Sequence, residues 1–434
     1  MKIFVYLLQI YIMTEYFAII RNYNFWDKPL PSLGLLREKY IDKLSSFIGN
    51  KLIKVLTGQR RSGKSYLLRQ IIYKLINQGV TPSNIFYLNK EISSFDFIKS
   101  YKDLEILIEI YKKEIKPIGK IYLLIDEIQL IDSWEILINS YSQDYISDYE
   151  IFITGSNSKM LSGELATLLS GRYVQFNIFT FSYLEFTQIL KLENTKPNFI
   201  KYLNTGGLPE LFNLPDIETK QHYVQALKDT VLLRDIIQHY HIKDAKLLEE
   251  LFSYLINNAS NFLSINNIVN YYQSKKRKVH YDTVANYIEY LCNAFLVHKV
   301  DKFNIRGKEI LSGSIKFYIN DLSFRNYLYP GFAYGIGYLL ENLIYLQLVN
   351  AGFKVYVGLL RNKEIDFVAI KDDRTLYVQS AYLLENQETI EREYAGLRAI
   401  HDNYEKYVVS LDDIQLSNYE GIKHIQAWNF SEIL

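Results

Sequence analysis

Residues 58–65 match the pattern G-x-x-x-x-G-K-[ST], in which each fixed residue type has a chemical task. The two glycines let the backbone approach phosphate oxygens closely, and the N–H groups at the start of a following helix favour negative charge. Lys64 can reach the β- and γ-phosphates of a nucleotide, and the Ser65 hydroxyl can ligate Mg²⁺. The sequence therefore predicts a site for ATP and Mg²⁺ formed by Gly58, Gln59, Arg60, Arg61, Ser62, Gly63, Lys64, Ser65 and Tyr66.

Asp126 and Glu127 directly follow residues 121–125, an apolar stretch typical of a buried strand. An aspartate at the end of such a strand can hold the Mg²⁺ shell, and a following glutamate can orient or polarise an attacking water. The alternative is that the pair caps a helix. Downstream of a phosphate loop we expect Ser65 and Asp126 to be metal ligands and Glu127 and Lys64 to be catalytic.

Two further polar positions could complete this chemistry. Ser156 and Asn157 follow the apolar residues 151–154, and this strand end would lie beside the γ-phosphate if the strand neighbours the one before residue 58. Ser156 or Asn157 could then report phosphate loss. Arg172, which precedes another apolar stretch, could be an arginine finger, either within the chain or for a neighbouring subunit. The alternatives are a polar turn and a surface arginine paired with a carboxylate.

The elements that must position these residues alternate in type. Residues 52–77 read as strand, glycine-rich loop and helix, and further strands are predicted at residues 85–88, 121–125 and 151–154. Such alternation predicts an α/β fold with a parallel sheet covered on both faces. The predicted domains are a P-loop core at 21–190, a helical lid or connector at 191–245, a winged helix-turn-helix at 246–320 and a second α/β domain at 321–434.

The composition restricts the functions that the chain can have. The 434 residues include 49 basic and 48 acidic side chains, so bulk electrostatics does not favour coating of nucleic acid, and any such surface must be local. A single cysteine, Cys292, cannot form an internal disulfide, which fits a reducing compartment and predicts a cytoplasmic protein.

The beginning of the chain is unusual because residues 3–13 form an apolar run. This run is shorter than the roughly 20 residues that a membrane span requires, and no signal-peptide cleavage site follows it. We therefore expect translation to begin at Met13, residues 1–20 to be a leader, and the first strand to start near Tyr16.

Residues 246–320 read as three helices and two strands, an order that suits a winged helix. A local basic ridge surrounds the last helix, predicted at residues 281–295. It comprises Lys275, Lys276, Arg277, Lys278, Lys299, Lys302, Arg306 and Lys308. Such a ridge could contact phosphates of duplex DNA, with Thr283 and Asn286 toward base edges. Charge runs are also common as solvated faces, and winged helices also bind proteins, so both partners stay open.

The order of five motifs resembles one family. The motifs are residues 58–65, 124–129, 154–157, 171–172 and 206–210. From about residue 20 to 430 the chain resembles the prokaryotic AAA-type ATPases that are fused to a C-terminal domain of unknown function. Those proteins resemble the origin-recognition ATPases in joining an ATPase to a winged helix. The resemblance implies an AAA-type core at 21–190, ATP binding and slow hydrolysis; the run at 1–13 departs from the family pattern.

Glu341 on a predicted helix and Asp366 at a strand resemble the restriction-endonuclease-like fold of the PD-(D/E)XK type. That family needs an acid-x-Lys on the next strand. At those positions the sequence has Gln379, Ser380 and Ala381. Two carboxylates without a third ligand or a base would hold Mg²⁺ weakly and activate water poorly. We therefore expect residues 321–434 to be a catalytically inactive scaffold.

Three classes of function follow from these patterns. The first is an ATP-driven remodeller or loader acting on DNA, the second a nucleotide-gated switch that assembles with protein partners, and the third an ATP-dependent nuclease. The sequence at 379–381 weighs against the third. We expect ATP and Mg²⁺ as ligands, a homo-oligomer and no membrane association.

Overall fold

A parallel sheet of five strands organises the first part of the chain in the computed structural model, which describes residues 2–158, 169, 171–330 and 335–434. The strands are β1 (Ile53–Thr57), β2 (Ile85–Asn89), β3 (Ile121–Asp126), β4 (Tyr149–Gly155) and β5 (Tyr173–Asn177). Their order across the sheet is β2-β3-β4-β1-β5, and every neighbouring pair is parallel. The predicted parallel α/β fold is confirmed.

Hydrophobic side chains form one core on each face of this sheet. The side chains of β1 alternate between them, because Ile53 and Val55 belong to one core and Leu56 to the other. The covering helices are α1 (Lys2–Tyr23), α2 (Glu38–Ser45), α3 (Lys64–Asn77), α4 (Tyr101–Ile115) and α5 (Trp134–Gln143). Helices α2 and α3 cover the Leu56 face, and α1, α4 and α5 cover the other.

The expectation of a first strand near Tyr16 is wrong, because this part of the chain is the helix α1. The Tyr16 ring stacks on Phe97 with ring centroids 4.0 Å apart, and Ile20 is completely buried. These contacts lie far away in sequence, so the residues around Tyr16 could not reveal them. No helix in the described part of the chain is long and apolar enough to cross a membrane.

The second compact unit, Phe179–Leu434, begins with helices. They are α6 (Tyr183–Leu190), α7 (Lys196–Thr205), α8 (Ile217–Thr230), α9 (Ala245–Asn257), α10 (Ile265–Ser274) and α11 (Tyr281–Asn293), with a π-helix at Val231–Gln238. Helices α8 to α11 share one hydrophobic core with the strands that follow.

An eight-stranded sheet forms the rest of this unit, with the order β13-β12-β11-β10-β9-β7-β8-β6. The strands are β6 (Phe262–Leu263), β7 (Val297–Asn304), β8 (Glu309–Ile319), β9 (Lys354–Leu360), β10 (Lys363–Lys371), β11 (Arg374–Ala381), β12 (Glu405–Ser410) and β13 (Ile422–Gln426). The accompanying helices are α12 (Ser323–Leu328), α13 (Ile336–Asn350) and α14 (Gln387–Arg398). Because β7 pairs in parallel with β9, residues on both sides of position 320 belong to one sheet.

The glycines of the motif at residues 206–210 lie against Asp321, which follows β8. The N–H of Gly207 donates to Asp321 Oδ2 at 3.0 Å. A Cβ on Gly206 would lie 2.5 Å from Asp321 Oδ1, and one on Gly207 would lie 2.2 Å from the carbonyl oxygen of Phe181. A side chain at either position would therefore displace its neighbours, so the two glycines allow close packing within the second unit.

Candidate nucleotide-binding site

The loop at residues 58–65 connects β1 to α3, as its sequence pattern requires. Gly63 is the N-cap of α3 and has φ of 96°, in the left-handed region that favours glycine. All five residues of β1 are buried, so the loop starts from a fixed strand end. The first turn of α3 consequently presents its free N–H groups beside the loop, where they favour a phosphate.

Lys64 is buried, with its ammonium group held over the loop. Its Nζ donates to the carbonyl oxygens of Gly58 at 3.0 Å and Gln59 at 3.1 Å. The same Nζ lies 3.8 Å from Glu127 Oε1. The structure thus brings together Lys64 and one of the two predicted carboxylates.

Asp126 and Glu127 are joined by Thr154 on the neighbouring strand β4. The Thr154 hydroxyl donates to Asp126 Oδ1 and accepts the main-chain N–H of Glu127 at 2.9 Å. This contact is possible because β3 and β4 pair in parallel and end at the same edge of the sheet. Thr154 is a site residue whose role the sequence did not reveal, although its position at a strand end was visible.

Glu127 has a left-handed backbone, with φ of 54°, and its carboxylate is held by two donors. Gln129 Nε2 donates to Glu127 Oε2 at 2.5 Å, and the Ser156 hydroxyl donates to the same oxygen at 3.1 Å. Left-handed conformations of non-glycine residues are costly and recur at functional sites. The position of the Glu127 side chain is therefore set by its left-handed backbone and by the two hydrogen bonds to its carboxylate.

The two neighbouring carboxyl groups have opposite pKa shifts. Burial, and then the charge of Glu127, raises the pKa of Asp126 to about 6. Burial also tends to raise the pKa of Glu127, but the Lys64 ammonium and the Gln129 hydrogen bond outweigh it, so the pKa of Glu127 is lowered. Near neutral pH Glu127 is thus firmly ionised, and Asp126 is the group more easily protonated. Neighbouring acids with separated pKa values are typical of divided catalytic roles.

The residues predicted to hold Mg²⁺ fit a cation that also binds a nucleotide. Asp126 Oδ2 is buried without a hydrogen-bond partner, and the nearby Ser65 hydroxyl acts against the rise in the pKa of the Asp126 carboxyl group. In the part of the chain that the structure describes, no group of three or more His, Cys, Asp and Glu could hold a metal by itself. One carboxylate and one hydroxyl suit Mg²⁺, which commonly takes one or two protein ligands and completes its shell with phosphate oxygens and water.

The other predicted loop residues occupy different environments. Arg60 is nearly buried and pairs with Glu91, which follows β2. Arg61 is exposed and has φ of 67°. Tyr66 is largely exposed, and the guanidinium of Arg69 lies 4.1 Å from the centre of its ring. Arg61 and Tyr66 are therefore accessible to a ligand, whereas Arg60 braces the loop against the sheet.

Arg37 supports the loop from the residues before α2. It is buried, and its Nη1 donates to the Ser62 carbonyl oxygen at 3.0 Å. Its own N–H donates to Gln70 on α3 at 3.2 Å, and its guanidinium lies 4.4 Å from the centre of the Tyr40 ring. Sequence analysis missed Arg37, because an isolated arginine far upstream of the loop carries no local signal.

Asn157 lies near the nucleotide loop, whereas Arg172 lies near the opposite end of β1. Since β4 pairs directly with β1, the end of β4 lies beside the loop, and the half-buried Asn157 follows two residues beyond that end. The carbonyl of Arg172 instead accepts the N–H of Ile53, the first residue of β1. A five-residue strand of roughly 17 Å separates that point from the loop, so the structure does not bring Arg172 to it within one chain.

Most of the predicted basic ridge is exposed, but Arg277 and Lys302 are half-buried. The exposed residues of its first part are Lys275, Lys276 and Lys278. Arg277 pairs with Asp244 at 2.8 Å and with Glu250 at 2.5 Å. It therefore ties the loop between α10 and α11 to the start of α9, which is a structural role.

Buried charges also meet in the second unit around Lys316 on β8. Its Nζ lies 2.9 Å from Glu341 Oε1 and 2.6 Å from Glu364 Oε1. Burial, and then the charge of Glu341, raises the pKa of Asp366 well above its usual value. The Gln379 side chain accepts the N–H of Asp366 at 3.4 Å. A lysine ammonium thus lies among the carboxylates for which the sequence suggested a degenerate metal site.

A serine, a histidine and an aspartate also meet near the ends of β12 and β13. Ser410 Oγ lies 2.8 Å from His424 Nε2 and donates to Asp412 at 2.6 Å. The N–H of Leu416 donates to His424 Nδ1 at 2.8 Å, so the ring proton is on Nε2. Because Nε2 then donates to Ser410, it cannot take the serine proton, and the group is not a nucleophilic triad.

Comparisons with known proteins found two matching family models and several similar structures. Residues 50–187 match the model of the AAA domain, and residues 196–334 match a domain of unknown function (DUF8612). The walker-type ATPase paby2304 of Pyrococcus abyssi is 16% identical, covers 68% of this chain and 95% of its own, and has a TM-score of 0.45. The Aeropyrum pernix ORC1 protein in complex with DNA is 14% identical, with coverages of 69% and 93% and a TM-score of 0.29.

Two curated relatives match nearly the whole chain. An uncharacterized protein of Haemophilus influenzae is 34% identical over 90% of this chain and 96% of its own length. An uncharacterized protein of Methanocaldococcus jannaschii is 32% identical over 87% and 85%, respectively. With the AAA-domain match covering the loop, β3 and β4, the chain belongs to the family of AAA-type P-loop ATPases that carry a C-terminal domain of unknown function.

Proposed function

We propose that the protein binds ATP with Mg²⁺, hydrolyses it, and acts as an ATP-driven remodeller or loader on duplex DNA. One observation carries the first part of this proposal: Lys64 and Glu127 face each other at 3.8 Å beside the loop, and Thr154 joins Glu127 to the buried Asp126. Cation, metal ligand and water-orienting carboxylate are the parts that phosphoryl transfer to water requires.

Each residue has a role that its environment supports. Lys64 binds the β- and γ-phosphate oxygens, exchanging its present carbonyl contacts for a stronger charged partner. Asp126 and Ser65 would hold Mg²⁺, which when bound would neutralise charge on the phosphate oxygens.

Glu127 orients the attacking water. Its lowered pKa keeps it ionised, so it can accept a hydrogen bond from water while the water oxygen bonds to the γ-phosphorus and the bond to the bridging oxygen breaks. Gln129 and Ser156 hold the carboxylate in place. We further propose that Asn157, beyond the same strand end as Ser156, senses the γ-phosphate.

The first prediction separates binding from hydrolysis. Lys64→Ala removes the buried cation and should abolish ATP binding and turnover, whereas Glu127→Gln should retain binding and lower turnover by roughly 10²- to 10³-fold. Binding is measured with a fluorescent ATP analogue and turnover by phosphate release. Lys74→Ala, near the other end of the same helix, is the matched control and should behave as wild type, because it removes only the half-buried ion pair with the exposed Asp42. Wild-type turnover in the Lys64→Ala protein would rule out the assignment.

The DNA part of the proposal is supported by exposed cations around α11. Helices α9, α10 and α11 precede the hairpin β7–β8, and β6 pairs with β8, an arrangement that fits the winged helix predicted at residues 246–320. The exposed Lys275, Lys276 and Lys278 directly precede α11. We propose that they contact phosphates while Thr283 and Asn286 on α11 face the bases.

The second prediction tests duplex DNA as the partner. Duplex DNA should stimulate steady-state ATPase activity, and changing Lys275, Lys276 and Lys278 together to Ala should reduce both that stimulation and the salt dependence of binding. The slope of log K against log salt should fall by about 0.9 for each phosphate that the variant no longer neutralises. Arg277 is left intact because its ion pairs are structural. An unaffected slope and no stimulation would favour the switch with protein partners instead.

Arg172 fits a role between subunits better than one within a chain. It lies at the edge of the sheet opposite the loop, so its own nucleotide is out of reach, and we propose that it acts on the nucleotide of a neighbouring copy in a homo-oligomer.

The third prediction follows from this placement. Arg172→Ala should lower turnover by up to roughly 10³-fold without weakening ATP binding. Mixing this variant with Glu127→Gln protein should restore part of the activity, because a mixed interface can pair an intact Arg172 with an intact Glu127. Turnover that scales linearly with enzyme concentration and shows no rescue would contradict the proposal.

We propose that the C-terminal sheet is not a nuclease. Lys316 lies between Glu341 and Glu364, so a resident ammonium neutralises the carboxylates that a divalent cation would need. Position 379 is a glutamine, which is a poor ligand for a hard cation, and Ala381 offers no amine to position water.

The fourth prediction is that the purified protein does not cleave DNA with Mg²⁺ or Mn²⁺. Supercoiled plasmid and linear duplex are incubated with each metal and examined on gels, with and without ATP. Robust cleavage that Asp366→Ala abolishes, while Lys64→Ala leaves it intact, would contradict the inactive scaffold and favour a nuclease.

A further inference from the structure

A basic cleft of about 710 Å³ opens in the second unit where three turns meet. The turns are residues 305–308 between β7 and β8, residues 360–363 between β9 and β10, and residues 399–402 after α14. We call this region the hairpin cleft. Only its first turn belongs to the basic ridge that the sequence predicted, and the other two come from the C-terminal part of the sheet.

Main-chain hydrogen bonds fix the turns against each other. Because β7 and β9 are neighbours, the N–H of Ile305 donates to the carbonyl oxygen of Leu359 at 3.0 Å. The N–H of Lys308 donates to the Asn304 carbonyl oxygen at 2.8 Å and closes the first turn. The sheet thus holds the first two turns of the cleft next to each other.

Positive charge dominates the lining of the hairpin cleft. It includes four cationic side chains, Arg306, Lys308, Arg361 and Lys363, and one carboxylate, Asp402. The Asp402 carboxylate already accepts a hydrogen bond from the Tyr377 hydroxyl, at 2.7 Å. A local surplus of three positive charges is large for a chain whose formal net charge is +1.

We propose that the hairpin cleft binds the sugar-phosphate backbone of duplex DNA, an inference that rests on the DNA part of the proposed function. All four cations are exposed, so their ends can follow a run of phosphates. The buried residues of the lining are the apolar Ile305 and Ile400, so no buried polar group in the described cleft would orient a small anion. These features suit a polyanion bound by charge and not a small phosphorylated metabolite.

This inference gives the C-terminal sheet a function that needs no catalysis. The winged helix would supply one set of phosphate contacts and the hairpin cleft another, carried by Arg361 and Lys363 on the turn between β9 and β10. Such a binding role requires no nuclease chemistry, so the presence of Lys316 and Gln379 would not affect it.

The test measures DNA binding by the full-length protein with the cleft cations changed. Two variants are made: the single variant Arg361→Ala and the double variant Arg306→Ala with Lys308→Ala. Each is titrated against a labelled duplex by fluorescence anisotropy across a salt series. The slope of log K against log salt should fall by about 0.9 for Arg361→Ala and by about twice that for the double variant. Lys354→Ala is the matched control, since this exposed lysine lies at the other end of β9, about 20 Å from Leu360.

The outcomes separate this inference from the proposed function. If the variant of Lys275, Lys276 and Lys278 has a reduced slope while both cleft variants match wild type, the cleft proposal fails and DNA binding by the winged helix stands. A reduced slope in the cleft variants alone supports the cleft and removes the winged-helix surface. Displacement of the duplex by inorganic phosphate at constant ionic strength would indicate a small-anion site and overturn the proposal. A wild-type protein that binds no duplex overturns both DNA assignments, while ATP turnover is measured independently.

Discussion

The burial of three charged side chains at one edge of a parallel sheet is the constraint on which the nucleotide site depends. Lys64, Asp126 and Glu127 are all buried, and an unpaired charge in such a place costs several kcal/mol. Lys64 and Glu127 offset each other, and the Thr154 hydroxyl supports Asp126, whose pKa rises to about 6. These groups come together because β4 lies between β3 and β1 in the sheet, so the strand order and the chemistry are linked.

Local sequence patterns predict the parts of this arrangement that depend on neighbours along the chain. The loop before Lys64, and Asp126 at the end of β3, follow from residue type and spacing and agree with the structure. Contacts between distant residues are different, because no local pattern identifies the partner. Tyr16 lies on a helix stabilised by Phe97, and Arg277 in a basic run is neutralised by acids that precede it by more than twenty residues. From their immediate neighbours alone, Tyr16 was expected near the start of a strand and Arg277 in an available basic ridge.

In the second unit, Lys316 shows how one charge can connect elements that the sequence separates. It lies on β8 of the hairpin, yet its ammonium contacts Glu341 on α13 and Glu364 on β10. The ladder between β7 and β9 makes this possible, because it places the hairpin and the later strands in one sheet. Burial raises the pKa of Asp366, which favours its protonated form, so the lysine and two carboxylates dominate the local charge. Replacing Lys316 would leave the buried Glu341 without its cation.

The first glycine of the nucleotide loop also touches the point where the chain leaves the first unit. The N–H of Ile178 donates to the Thr57 carbonyl oxygen at 2.7 Å, and a Cβ on Gly58 would lie 2.2 Å from the Ile178 carbonyl oxygen. A side chain at position 58 would therefore push Ile178 away and break the end of the β1–β5 pairing. The second unit begins at the next residue, Phe179. Gly58 therefore links the nucleotide loop to the last residue of the first unit, because a shift of the loop at this position would also shift Ile178.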